Sequence, residues 1–408
     1  MNKSTSSILK LIISLGLGFL IIFLVANNFK KPLKVKLDKK QFSSDHTWML
    51  QQWDDNKDYI FVGDTLATLV NEKQDLEYLI SIYEGTVVTR DARQGATVTG
   101  GDVVSKVKVD IWIIIKEAFK RTNYWWILLS IVIALTSHLS RAMRWQMLFE
   151  PLGYRPKLGN AFGAVLVMYM ANLAFPRLGE VLRCSVLARY EKIPIQKSLG
   201  TMITERAIDV ICLLVVVGLC LVLQRQIFIE FYNSFMPDGG NSKFIILGGL
   251  AVLGAITLLL YKTGKLPFAA QISGIIKGVW LGIISIKDLK RPGIFLMHTF
   301  FIWVQYYLMI AVCLKALPET SSVTLLAGFP MLFFGGIAMV AVQGGLGLYP
   351  YFISKILVMY GVAETVGYAF GWVIWSGQTA LVVLAGLLAY FLLIALNKDK
   401  AQPTTVEN

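Results

Sequence analysis

The sequence predicts an all-α polytopic membrane protein of about eight transmembrane helices, with a re-entrant half-helix and a small polar insert. Three observations predict it. Apolar residues make up 55% of the 408 positions and charged residues only 16%, against about 25% charged in an ordinary soluble domain. No single aqueous core could hide that much Leu, Ile, Val and Phe, so the surplus needs lipid as its solvent. The apolar residues gather in runs near the length that crosses a bilayer, and Lys and Arg sit between the runs, where they meet headgroups and set orientation. The net charge of +13 is read this way. A nucleic-acid surface would need a folded basic domain, so no nucleic-acid partner is expected.

The first apolar run, 8–26, is followed by Asn27, Asn28 and six lysines between Lys30 and Lys40. It is long and lacks a clean A-x-A site, which favours an uncleaved anchor over a signal peptide. Further runs cover 124–143, 160–175, 201–223, 244–261, 294–314, 323–342 and 366–396. The piece 348–360 is too short to span and reads as a half-helix. Lys and Arg in 177–197, 262–291 and the tail place these stretches on the cytoplasmic side. Eight simple spans put both termini on one side, whereas the six lysines send the first span out into the cytoplasm. A hairpin such as 323–360 that enters and leaves one face would change the parity.

Four domains follow: an anchor with its basic flank over 1–40, a polar accessory insert over 41–116, a transmembrane domain over 117–396 and a polar tail over 397–408. Within the insert, residues 64–82 show helix-like spacing of Leu66, Leu69, Val70, Leu76, Leu79 and Ile80, and 84–109 reads as short strands with Gly-rich turns. The segment 85–104 looks like half of a lipoyl-type hairpin, without a lysine at the turn. Cys184, Cys212, Cys220 and Cys313 have no CxxC spacing and read as small buried hydrophobes.

Four charged or glycine-rich elements carry the chemistry. Arg177, Glu180 and Arg183 in ANLAFPRLGEVLRCSVLARY fall at i, i+3 and i+6, on one helix face, where Glu180 can pair with either arginine. Arg suits a phosphate, because its planar fork grips oxygens in pairs and stays charged when desolvated. Glu205, Arg206 and Asp209 open the run 201–223 among apolar neighbours, and a lone charge in lipid is costly enough to demand a cavity or a partner. Arg141 and Arg144 end the second run in SRAMRW. Gly344, Gly345 and Gly347 in QGGLGLYP permit positive φ ahead of a half-helix, whose free N–H groups can bind an anion.

Each has a plainer reading. Arg177, Arg183, Arg189, Lys192 and Lys197 fit charges at a membrane face, the 205–209 knot fits a salt bridge that fixes packing, and the glycines fit a turn. Trp125, Trp126, Trp145 and Trp372 read as interfacial anchors. His138 and His298 lack partners at metal spacing. No metal and no cofactor is expected, and GxxxxGK[ST] does not occur.

NLAFPRLGEVLR, TERAIDV, SRAMRW and GGLG, in that order, resemble the lysylphosphatidylglycerol synthase transmembrane family, also described as flippase-like integral membrane proteins, from roughly residue 124 to 396. The resemblance implies a multi-pass protein of the cell (inner) membrane that moves an anionic, aminoacylated or polyprenyl-linked lipid between leaflets, with membrane lipids as partners. It implies substrate-binding roles for Arg177, Glu180 and Arg183 as an R-x-G-E-x-x-R cluster, for Arg206 and Asp209 as a second pair, and for the three glycines. Gln343 and Pro350 stand where members often carry Pro and Glu. The chain ends twelve residues beyond Leu396, so synthesis by a following aminoacyl-transferase domain is not expected. Arg141 and Arg144 join the proposed set as a third basic knot. Two other classes stay open: an intramembrane enzyme acting on a lipid-linked substrate, for which only the adjacent Asp54 and Asp55 suggest a metal, and a scaffold that docks a membrane-protein partner through 41–116.

Overall fold

The computed structural model describes residues 3–29, 33–37, 47–54, 59–60, 65–71, 76–80, 85–99, 102–108, 110–175, 178–234 and 288–398. The expected span at 244–261 lies outside them. Two compact units are present, one formed by residues 1–14, 123–345 and 374–408, the other by 15–122 and 346–373.

The second unit holds most of helix α1 (Lys3–Phe29) and eight strands, β1 (Leu33–Lys36), β2 (Trp48–Trp53), β3 (Tyr59–Ile60), β4 (Thr65–Asn71), β5 (Leu76–Ile80), β6 (Gly85–Arg90), β7 (Thr97–Val98) and β8 (Val103–Lys108). They make two four-stranded antiparallel sheets, ordered β1-β8-β6-β3 and β5-β4-β2-β7. Val35, Val104 and Val107 of one sheet and Leu50 and Leu69 of the other are buried, the inward half of a period-two pattern. Strands β6 to β8 lie where strands were expected.

Within the expected helix 64–82, the described residues are strands instead: β4 (Thr65–Asn71) pairs antiparallel with β5 (Leu76–Ile80), Val70 opposite Leu76 and Thr65 opposite Ile80. The ladder shifts register between Thr65 and Ala67, so Leu66, Ala67 and Leu69 are all buried. That bulge breaks strict alternation and imitates helical spacing, while the β-branched Thr65, Thr68 and Val70 favour a strand.

Helix α2 (Ile111–Arg121) follows, its first turn capped by Asp110, whose carboxylate accepts from the Trp112 amide at 3.0 Å. Then come α3 (Tyr124–Phe149), α4 (Leu158–Ala174), α5 (Leu178–Glu191), α6 (Ile195–Leu223), α7 (Arg225–Ser234), α8 (Pro292–Cys313), a single turn at Pro318–Ser321, α9 (Gly328–Ala341), α10 (Leu348–Met359) and α11 (Glu364–Leu396). Among the described residues four helices are long and apolar enough to cross a membrane, and four apolar helices are shorter. Val222, Phe300 and Leu388 stand exposed on the long ones, as lipid-facing residues must. The chain is an integral, multi-pass membrane protein.

Helices α4 and α5 form a hairpin that returns to the end it started from. Asn160 of α4 donates to Glu191 of α5 at one end, and Asn172 accepts from the Gly179 amide at 2.9 Å at the other. With 17 and 14 residues, the arms reach about 25 and 21 Å, short of a full hydrocarbon thickness. The stretch 177–197, expected on the cytoplasmic side with 177, 180 and 183 on one helix face, is mostly α5. Of its charged residues Arg183 is buried inside the protein, whereas Arg189 is exposed.

The open end of this hairpin gathers other termini. Arg291, before α8, donates to Glu150, after α3, at 2.8 Å, and Asn397 donates to Asn160 at 2.9 Å. Arg155, Lys157, Lys192, Lys197 and Lys290 share this end, which is accordingly basic.

Candidate functional site

Spacing on two helices builds the centre of the first unit. Arg141 and Arg144 lie at i and i+3 on α3, Glu205 and Asp209 at i and i+4 on α6, so each pair shares a face. The faces meet. One Glu205 oxygen accepts from both Arg141 and Arg144, the latter at 3.4 Å, and the other accepts from Arg183 of α5 at 2.9 Å. Asp209 accepts from Arg144 at 2.8 Å and from Arg141 at 3.1 Å. Tyr306 and Thr299 of α8, seven residues apart and so on one face, accept from Arg141 Nη2 and Arg144 Nη1 at 2.7 and 3.2 Å. The Arg183 guanidinium also lies 4.2 Å from the Trp145 ring centre, a cation–π contact.

Burial is extreme: Arg144, Arg183 and Glu205 have 0% exposure. Arg206, one residue past Glu205, points about 100° away from it around the helix. Its side chain is 43% exposed and approaches Glu205 and Asp209 only to 3.9 and 4.0 Å. Four guanidinium groups thus surround two carboxylates, leaving an excess of two positive charges. Nε and Nη1 of Arg183, and Nε of Arg141, Arg144 and Arg206, are buried without a hydrogen-bond partner. Such donors ordinarily find an acceptor, a water or a ligand.

Gly344 and Gly345 sit elsewhere in the first unit, at the closed end of the α4–α5 hairpin, and Gly347 lies in the second unit's stretch that follows. Gly344, Gly345 and Gly347 take φ of 61°, 70° and 74°, the left-handed region that the sequence permits. The Gln343 side chain donates to the carbonyls of Asn172 and Leu173, and Trp375 donates to the Gly344 carbonyl at 2.6 Å. Asn172 also reaches Glu180 at 3.4 Å. Alanine at Gly344 should cost about 1–2 kcal/mol through its φ alone. At Gly347 a Cβ would further stand 2.7 Å from Ile22 and 2.9 Å from the Gly18 carbonyl. Gly347→Ala should therefore lower the thermal midpoint more than Gly344→Ala; equal midpoints would contradict the steric account.

The predicted residues separate into two groups. Arg141, Arg144, Arg183, Arg206 and Asp209 converge, whereas Glu180, Gly344 and Gly345 stand at the hairpin tip, Gly347 belongs to the second unit, and Arg177 lies outside the described residues. Glu180 is not the partner of Arg183: Glu205 is. One Glu180 oxygen is buried without a partner. Trp145, expected as an interfacial anchor, is fully buried and donates to Thr201 at 3.0 Å. The sequence reading left Glu205 out of the binding set, although its i−4 relation to Asp209 marked a shared face. It passed over Thr299 and Tyr306, whose helix is apolar nearly throughout. Asp54 follows β2, and Asp55 lies outside the described residues. Among the described residues no three His, Cys, Asp or Glu side chains stand together as metal ligands.

No solved structure matches the chain. A glycosyltransferase, AglD of Haloferax volcanii, is 32% identical over 92 residues, which are 22% of this chain and 15% of that protein. The chain thus spans only a small part of that relative's length. The pattern of the lysylphosphatidylglycerol synthase TM region matches residues 112–397, more than half of the chain and all of the helices that build the charged centre. The chain belongs to the lysylphosphatidylglycerol synthase transmembrane-region family.

Proposed function

We propose that this protein is a flippase-like lipid transporter of the cell (inner) membrane, in which the buried guanidinium cluster holds the anionic headgroup of a lipid crossing between leaflets. The observation that supports this most is the excess of positive charge at the centre, where Arg183 presents two buried donors without partners. Glu205 and Asp209 fix the arginines, since unpaired charges would not be tolerated at that depth. A phosphate would complete the charge balance and accept the idle donors. Movement of the α4–α5 hairpin, which supplies Arg183, against α6 would open the cluster to one leaflet and then the other.

Arg206→Gln provides the test, because Arg206 is half-exposed and only loosely paired, so folding should survive its loss. In liposomes, transport of a fluorescent anionic lipid should fall roughly tenfold, the order expected for one charge-assisted contact. Undiminished transport by Arg206→Gln, and also by Arg183→Lys with its single point charge in place of a fork, would overturn the proposal. The match to part of a glycosyltransferase supports a second reading, a membrane enzyme acting on a lipid-linked substrate. Product formation by the purified chain supplied with a sugar donor and a divalent metal would favour it over transport.

A further inference from the structure

At the basic end of the first unit lies a cavity of about 580 Å³, within the range of small-molecule sites. Its polar wall is Arg155, Lys290, Arg291, Glu150, Gln146 and His298; Met143, Met147 and Ile294 form the apolar side. Glu150 is held by Arg291 at 2.8 Å. Among the described residues Arg155 and Lys290 have no carboxylate partner, so the wall carries two uncompensated positive charges. The mouth is built rather than fortuitous: Gln146 of α3 donates to the Pro156 carbonyl at 2.6 Å, tying the loop that carries Arg155 to the helix that forms the floor.

The cavity touches the buried cluster through two pairs of adjacent residues. His298 lines the cavity and bonds through Nδ1 to Ser140 at 2.8 Å. The next residue on each helix, Thr299 and Arg141, belongs to the cluster, where Thr299 accepts from Arg144. The lining of the cavity includes none of the four clustered arginines. A ligand in it would therefore lie one layer of side chains from them.

From these features we infer that the cavity is a distinct binding site for a phosphate-bearing headgroup, occupied before or after the buried arginines. The charge chemistry selects a phosphate monoester or diester. Arg155 supplies a paired fork and Lys290 a point charge, and His298, with Nδ1 engaged, has Nε2 left for an oxygen. The adaptable methionine side suits the apolar start of a glycerolipid. The same chemistry admits a water-soluble phosphate ester from the cytoplasm. The inference rests on the transport reading for the order of events, but occupancy of the cavity is measurable without transport.

The experiment uses the full chain in phosphatidylcholine nanodiscs, with labelled phosphatidylglycerol as one probe and soluble glycerol phosphate as the other. The double variant Arg155→Gln/Lys290→Gln, both side chains being exposed, should keep the wild-type thermal midpoint and lose roughly tenfold or more in binding, as for a lost charge-assisted contact. In liposomes the variant should need more lipid for half-maximal transport while approaching the wild-type maximum. Loss of phosphatidylglycerol binding alone identifies the lipid as the ligand, and competition by glycerol phosphate identifies the soluble ester; both support the site. Wild-type binding by the double variant, or no binding of either probe by the wild type, would overturn it. Binding without transport in the wild type would instead sink the transport reading and leave the cavity standing.

Discussion

Glu205→Gln should lower stability by about 3–5 kcal/mol, the cost of removing one partner from a buried ion pair. The carboxylate bonds three arginines at once, with 0% exposure. Its amide replacement leaves Asp209 alone against Arg141 and Arg144, and Arg183 with no counter-charge. Water cannot compensate at that depth. The expected result is a large loss of folded, monodisperse protein from membranes and a fall of many degrees in the thermal midpoint in detergent. Asp209→Asn should do less, since Asp209 is 13% exposed and Glu205 would still hold both α3 arginines. A Glu205→Gln protein as stable as wild type would mean that the centre is wet enough to screen its charges.

Gly179→Ala should break the tip of the α4–α5 hairpin. A Cβ at this position would stand 2.1 Å from the Met168 carbonyl oxygen and 2.6 Å from Asn172 Oδ1. The first is backbone in the facing helix and cannot turn aside, so the helices must separate at a cost of about 3 kcal/mol or more, at or above the usual range for overpacking. Separation also loosens Asn172, which the Gln343 side chain grips, and shifts Arg183 one turn along α5. Folded yield and lipid transport should fall together. Gly200→Ala on α6 is the matched control, because an added Cβ there meets nothing within 4 Å. It should be neutral or stabilising by up to about 1 kcal/mol. A Gly179→Ala protein that behaves like the Gly200 control would show that the helices are farther apart than described.

Much of the charged centre was legible as pieces. The cost of a lone charge in lipid marked Arg206 and Asp209, helix-face spacing marked Arg183, and Arg141 and Arg144 stood out as a basic pair at the end of the second run. Which carboxylate serves which arginine was not legible. Glu180 is three residues from Arg183 and Glu205 is twenty-two away, and local spacing favoured the wrong one. Arg183 lies on the hairpin arm facing α6, whereas Glu180 is drawn to Asn172 at the tip. The position of α5 was hidden for a related reason. The spacing of 177, 180 and 183 marked a helix, but positive-inside counting assigned its charges to a membrane face, whereas Arg183 is buried in the protein.

Composition and run length, read from the sequence by themselves, determined the multi-pass helical class, because lipid tolerates no exposed backbone and demands continuous apolar helices. The glycines at 344, 345 and 347 likewise determined a left-handed turn, since only a residue without Cβ takes that conformation cheaply. Tertiary structure alone decided that α4 and α5 fold back on themselves, that Thr65–Asn71 and Leu76–Ile80 pair as strands, and that one glutamate bonds three arginines. Those outcomes depend on contacts between residues far apart in the chain, and in each case the local pattern was compatible with two arrangements until packing chose one.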